Sequence, residues 1–258
     1  ISGSWTKSMA GHSKWANIRH KKGKTDAKRG KLFTRLIREV TVAARLGGAD
    51  AASNPRLRAA IDTALSANMP KDTIERAAAR GAGNLDSDSY EELRYEGYGP
   101  NGVAIVVDCM TDNRNRTVAD VRHAFTKHGG NLGTDGSVSY LFKKVGLINV
   151  EGNVEEEALM EVAIDAGAED VVQNEDGSYE ITTAWEEISS VNDVLVSAGY
   201  DLATSEVTMQ AETTVSLGQE AAESMLKFLD ALEEIDDVQK VYSNAEISVD
   251  VLTLLNEY

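Results

Sequence analysis

The chain has 258 residues, with 42 Asp and Glu against 26 Lys and Arg, a net charge of −16 and 42% apolar residues, enough to build cores for two or three domains. Cys109 is the only cysteine, which excludes an intramolecular disulfide and points to a reducing compartment. No apolar run approaches the ~20 residues that span a bilayer and no signal peptide is visible, so the expectation is a soluble cytoplasmic protein without a membrane partner.

The net charge hides an asymmetry. Met9 to Arg80 hold 16 Lys and Arg and six Asp and Glu, a net of +10, whereas Gly81 to Tyr258 hold nine bases and 36 acids, a net of −27. Residues 1–8 precede a methionine, read as a vector remnant and are set aside. The cationic charge is densest in GHSKWANIRHKKGKTDAKRGK (11–31), where Lys14, Arg19, Lys21, Lys22, Lys24, Lys28, Arg29 and Lys31 stand beside one acid, Asp26. Each phosphate neutralised by such a cation releases counterions, so the cluster can supply sequence-independent affinity for a nucleic acid. A solvated arm that aids solubility is the bland reading, but a chain this acidic hardly needs one. His20 can add a hydrogen bond, and its company suggests no metal site. Trp15 could stack on an exposed base; its spacing of three from Ile18 favours an anchor to the helices that follow.

Leu32, Phe33, Leu36, Ile37, Val40, Ala43 and Ala44 share one face at helical spacing, and Gly47-Gly48 ends that run. Asn54-Pro55 is a cap followed by a first-turn proline, and Leu57, Ile61, Ala64 and Leu65 continue the stripe. Pro70 opens a third helix, with Gly81 as its stop, and residues 83–89 read as a linker. Then the texture becomes α+β: a strand at 103–107, a helix over 117–128 and a strand at 137–142. A strand (146–150), helix (155–166), two strands around the turn Glu175-Asp176-Gly177, helix (186–198) and strand (203–209) follow, and that βαββαβ order is a ferredoxin-like unit. Strand 211–217, helix 219–234 and strand 238–242 can pair with the earlier βαβ to complete a second such unit, split by the first. The predicted domains are 9–85, basic and helical; 86–142 with 210–258, discontinuous and α+β; and 143–209, inserted and ferredoxin-like.

MAGHSKWANIRHKKGKTDAKRGKLF (9–33), YEGYGPNGVAIVVDCMTDNRNRT (95–117), VRHAFTKHGGNLGTDGSVSYLF (121–142) and VQKVYSNAEIS (238–248) resemble the YebC/PmpR family, whose mitochondrial members include a translational activator of cytochrome oxidase subunit I. The resemblance runs from Met9 to about Ser248, and the tail 249–258 is assigned nothing. It implies three domains around a cleft, one helical and two α+β, and a non-enzymatic role in gene expression. Members are described as DNA-binding transcriptional regulators, and others as ribosome-associated factors that assist synthesis of proline-rich stretches.

Gly97-Tyr98-Gly99-Pro100-Asn101-Gly102 spells G-x-G-x-x-G, but these glycines precede a strand, whereas the dinucleotide fingerprint follows a strand and opens a helix. A tight surface loop is the better account, with Tyr98 as a contact. In 111–117, Thr117 and Asp120 have capping-box-like spacing, which leaves Arg114 and Arg116 beside a helix N-terminus. They can hold a phosphate there or bind the acidic surface locally. Lys127 and His128 read as dipole partners at a helix end, and His123 has no identifiable partner. No nucleophile–base arrangement, P-loop or cysteine cluster points to catalysis, a metal or a cofactor.

The reading is therefore a monomeric, non-enzymatic nucleic-acid-binding regulator of gene expression. The family description favours DNA. Ribosomal RNA is the alternative, because the −27 remainder resists lying along a duplex and the third helix carries only Lys71, Arg76 and Arg80 as bases. A second class is an acidic protein-binding scaffold.

Overall fold

The computed structural model describes residues 26–83, 90–152, 154–174 and 177–256. The linker 84–89 and the turn residues Glu175 and Asp176 lie outside the described residues. The chain divides into two compact units: the first contains Tyr90–Lys143 and the stretch from Gln210 onward, the second the N-terminal helices and Lys144–Met209.

In the second unit, α1 (Asp26–Gly47), α2 (Pro55–Ser66) and α3 (Lys71–Ala82) bury Leu36, Val40, Ala43, Leu57, Ala60, Ala64, Ile74 and Ala77 against one another. Asn54 joins the first two helices. Its Oδ1 accepts from Leu57 N at 3.1 Å as the α2 cap, and its Nδ2 donates to the carbonyls of Ala43 and Gly48 at 2.9 Å each, satisfying the end of α1. The predicted stop at Gly81 is corrected: Gly81 lies inside α3, and a Cβ there would collide with the Thr41 carbonyl oxygen. It is glycine because α1 and α3 touch at that point, where Thr41 Oγ1 also reaches the Ala77 carbonyl at 3.3 Å.

The same unit contains most of β4 (Phe142–Val150), then α5 (Glu156–Asp165), β5 (Ala168–Gln173), β6 (Tyr179–Thr183), α6 (Ile188–Ser197) and most of β7 (Leu202–Ala211). The sheet order β5-β6-β4-β7 is that of a ferredoxin-like sheet, with β6 antiparallel to both β4 and β5. Ile148, Val150, Ile181 and Tyr179 meet Leu159, Ala163, Val191 and Leu195 of the two helices. Ala59 of α2 packs against that core, and Ser189 Oγ donates to Asp62 Oδ2 at 2.6 Å.

The first unit is built from β1 (Glu91–Tyr98), β2 (Ala104–Thr111), α4 (Arg114–Lys127), β3 (Asn131–Leu132), β8 (Val215–Leu217), α7 (Gln219–Glu233), β9 (Val238–Ser243), β10 (Ala245–Ile247) and α8 (Val249–Asn256). Its sheet runs β3-β1-β2-β9, all neighbours antiparallel, over a core centred on Val121, Phe125, Phe228 and Leu229. The two phenylalanine rings meet edge to face, centroids 5.0 Å apart. Three expectations change here. β1 was not foreseen, and it pairs with β2 in the sheet that 211–217 was expected to help complete. The latter segment supplies only β8, which pairs parallel with β10. The predicted strand 137–142 is a 3-10 turn, Ser139–Leu141, and the strand proper begins at Phe142. The tail, to which nothing was assigned, forms α8 and inserts Leu252 into the core.

Two substitutions test this packing. Gly81→Ala exchanges a poor helix former for the best one, a gain of about 1 kcal/mol, but the collision with Thr41 costs about 1–3 kcal/mol, so denaturant unfolding is expected to show a net loss. Glu180 on β6 is 6% exposed, with Oε2 buried and unpartnered; burial, with Asp170 nearby, pushes its carboxyl up to about 7. The raised value means the folded state holds its proton while the unfolded state ionises. Stability therefore falls as pH rises from the ordinary glutamate range to about 7 and is level above. Glu180→Gln is expected to be more stable relative to the parent at pH 8 than at pH 4, by about 1–3 kcal/mol.

Candidate nucleic-acid interface

Of the cationic candidates, Lys14, Arg19, His20, Lys21, Lys22 and Lys24, with Trp15, lie outside the described residues. Lys28, Arg29 and Lys31 fall in the first turns of α1. Arg35, Arg38 and Arg45 continue from Lys31 at intervals of four, three and seven residues, which places them all on one side of the helix. These three side chains, each of which makes interactions within the protein, were not among the candidates. Their periodic spacing was the signal that could have found them.

The turn before α4 brings Arg114 and Arg116 to different partners. The helix starts at Arg114, not Thr117, because Asn113 is the cap: its Oδ1 accepts from Arg116 N at 3.1 Å. Thr117 is instead fully buried, its hydroxyl donating to Asp237 Oδ2 at 2.9 Å. Arg116 reaches the same carboxylate, with Nη2 at 2.8 Å and 3.0 Å from its two oxygens and Nε at 3.1 Å, and it also pairs with Asp112 at 2.9 Å. The hydrogen bonds to Asp237 and Asp112 hold its guanidinium above the ordinary arginine range. The Asp237 side chain is 7% exposed, so its charge depends on these donors. Arg114 makes an open pair with Glu91 at 3.0 Å, both side chains more than half exposed. Arg114 therefore keeps a largely exposed side chain at the start of α4. Arg116 is committed to Asp237.

Around the G-x-G-x-x-G segment the glycines serve packing. Gly97 lies in β1, where a Cβ would strike the Asn131 carbonyl, and one on Gly99 would come 2.9 Å from the Phe228 ring. The tip is a 3-10 turn, Pro100–Gly102, with Asn101 and Gly102 at φ 59 and 73°. At the far end of α4, His128 lies tilted over Phe228, centroids 5.7 Å apart, and burial together with the Lys127 charge lowers its pKa. Among the described residues no group of three or more His, Cys, Asp and Glu could hold a metal ion, and no helix is long and apolar enough to cross a membrane.

Residues 13–84 match the family described as TACO1/YebC protein N-terminal domain, and residues 90–245 match TACO1/YebC second and third domain. A "probable transcriptional regulatory protein" of Nitrosococcus oceani is 64% identical over 247 residues, 96% of this chain and 100% of that protein. Proteins of the same description from Francisella tularensis and Methylococcus capsulatus are each 62% identical, over 95% and 96% of this chain and 98% and 100% of their own lengths. The crystal structure of a conserved hypothetical protein from Aquifex aeolicus superposes with a TM-score of 0.78 at 51% identity, covering 91% of this chain and 97% of that one.

The two arginines should separate experimentally. Arg116→Ala strips the buried Asp237 of its guanidinium and is expected to lower the melting temperature by several degrees. Arg114→Ala removes only a surface pair, worth about 0–1 kcal/mol, and should leave melting nearly unchanged while weakening nucleic-acid binding and making its salt dependence shallower. Thermal melts paired with salt titrations of binding check both expectations.

Proposed function

The chain belongs to the TACO1/YebC family, and from that premise we propose that it is a non-enzymatic, cytoplasmic regulator of gene expression that holds a nucleic-acid backbone with the basic segment 11–31 and Arg114. The observation that carries this reading is the segregation of charge, eight Lys and Arg against one acid in that segment of a chain whose net charge is −16. The relatives named as probable transcriptional regulatory proteins support the regulatory part of it. Nothing in the reading calls for a cofactor.

DNA is the first target class, by analogy with those relatives. A structured RNA, including that of a ribosome, is the second, and one observation favours it. A common way to read a duplex is a helix with base-reading side chains grouped for the major groove. α3 has none: Arg76 is held by Asp72 in an i,i+4 pair at 2.9 Å, and Ala77, Ala78 and Ala79 follow it. Phosphate contacts alone position a protein without specifying sequence, whereas an RNA particle can be read by shape.

The test reverses charge in the basic segment. Lys21→Glu, Lys22→Glu and Lys24→Glu together are expected to weaken binding to any nucleic acid, and the fall of log K with log salt should lose about 0.7–0.9 of slope for each phosphate contact removed. Binding indifferent to salt and to these changes would sink the reading. A competitor-challenged shift assay and sedimentation with ribosomal particles then decide between DNA and RNA.

A further inference from the structure

Two aromatic side chains stand in the open on the first unit. Tyr98 ends β1 and Tyr140 lies in the 3-10 turn before β4; they are 40% and 68% exposed, and Glu96, two residues before Tyr98, accepts from the N–H of Ser139, next to Tyr140. Solvent-exposed tyrosines are common, but these two are held on rigid ground. Tyr98 pairs with Asn131 across the sheet, and Gly130 approaches so closely that a Cβ would lie 2.7 Å from the Tyr98 carbonyl oxygen. The segment leading to Tyr140 is fixed from beneath by Glu96, itself 5% exposed. Its carboxylate accepts from Gly136 N at 3.0 Å, Val138 N at 2.9 Å and Ser139 N at 2.8 Å, and its carbonyl accepts from Gly133 N at 2.8 Å. Val138 is fully buried one residue before Ser139, so the turn carrying Tyr140 is pinned on both counts.

The neighbourhood decides what such a pair can receive. Asn131, Gly133, Thr134, Asp135 and Gly136 are exposed around it. Polar and side-chain-less positions do not make the apolar centre of a protein interface. Two exposed rings bordered by small and polar residues instead leave aromatic surface accessible, and a pre-ordered platform loses little entropy on binding. A planar nucleobase fits that chemistry, since every base has a π face and stacking on aromatic residues tolerates any sequence.

We propose that Tyr98 and Tyr140 form a stacking platform for an unpaired base of a single-stranded nucleic acid, a contact distinct from the phosphate-holding basic segment. This rests on the reading of the chain as a nucleic-acid binder, and it adds what that reading lacks, a contact to bases. It also favours unpaired over duplex targets.

The experiment measures binding of the full chain to a seven-nucleotide uridine RNA and to the same sugar–phosphate backbone without bases. Tyr140→Leu is expected to weaken binding of the uridine RNA by about 5- to 100-fold, leave its salt slope unchanged and leave the baseless backbone unaffected. Tyr140→Trp, which keeps a π face, should bind as the parent does. Because Tyr140 is largely exposed, both variants should melt with the parent, and that is checked alongside. Equal affinity of the parent for both oligonucleotides, or a Tyr140→Leu protein that binds the uridine RNA as tightly as the parent, overturns the platform and leaves the basic segment standing. A parent that binds neither overturns the reading of the basic segment, and the platform with it.

Discussion

A carboxylate withdrawn from water must find donors, and this requirement organises the first unit. Asp237 stands at the start of β9, and its side chain gathers Arg116 and Thr117 from the first turn of α4 while its carbonyl accepts from Met110 N at the end of β2. Glu96 does the same at the other end of the sheet. Burial alone would raise its pKa, but the N–H groups of Val138, Gly136 and Ser139 outweigh that and hold it below the usual glutamate range. One carboxylate thereby sets the start of a helix and the other the shape of a glycine-rich loop. Glu180 shows the contrary case, a buried oxygen left without a donor, and its carboxyl keeps its proton to about 7.

The same requirement explains how the few cations of the acidic part are used. Arg94 lies 2.7 Å from Asp108, Arg116 is held by Asp237, and Arg114 by the exposed Glu91. Of these carboxylates only Asp237 is buried, so releasing Arg116 would leave a buried charge unpaired, whereas Glu91 could be exchanged for a phosphate without that cost. The basic segment differs in kind, since its own stretch of sequence contains one acid for eight cations. Self-repulsion of that density favours a polyanionic partner, while the acidic remainder disfavours the broad surface contact a duplex would require.

Local signals in the chain were reliable where the physics is local. Asn54-Pro55 begins a helix because a side-chain oxygen three residues away can cap it and a first-turn proline loses no hydrogen bond. The inserted βαββαβ unit was legible because its periodicities alternate between two and 3.6 and only one right-handed arrangement packs helices on such a sheet. Where partners come from afar the same reasoning failed. Gly81 has the character of a stop, yet it serves an approach of α1 forty residues earlier. β1 alternates Leu93 and Tyr95 with Glu92, Arg94 and Glu96, but its charges and glycines obscured a strand that the antiparallel pairing with β2 makes secure.

The sequence by itself determined the α+β class with its helical beginning, the Asn54 cap, and the uneven distribution of charge, because composition and short-range periodicity are properties of neighbouring residues. It also brought Arg114 and Arg116 to attention as a pair. Only the tertiary structure could divide them, since Asp237 lies 121 residues beyond Arg116 and no spacing rule connects the two. The juxtaposition of Tyr98 with Tyr140 was hidden for the same reason: it depends on Glu96, whose amide partners lie 40 to 43 residues away and are brought to it by the closing of a sheet. Burial of a charge is decided by what the fold places around it, and that is information no local stretch of sequence contains.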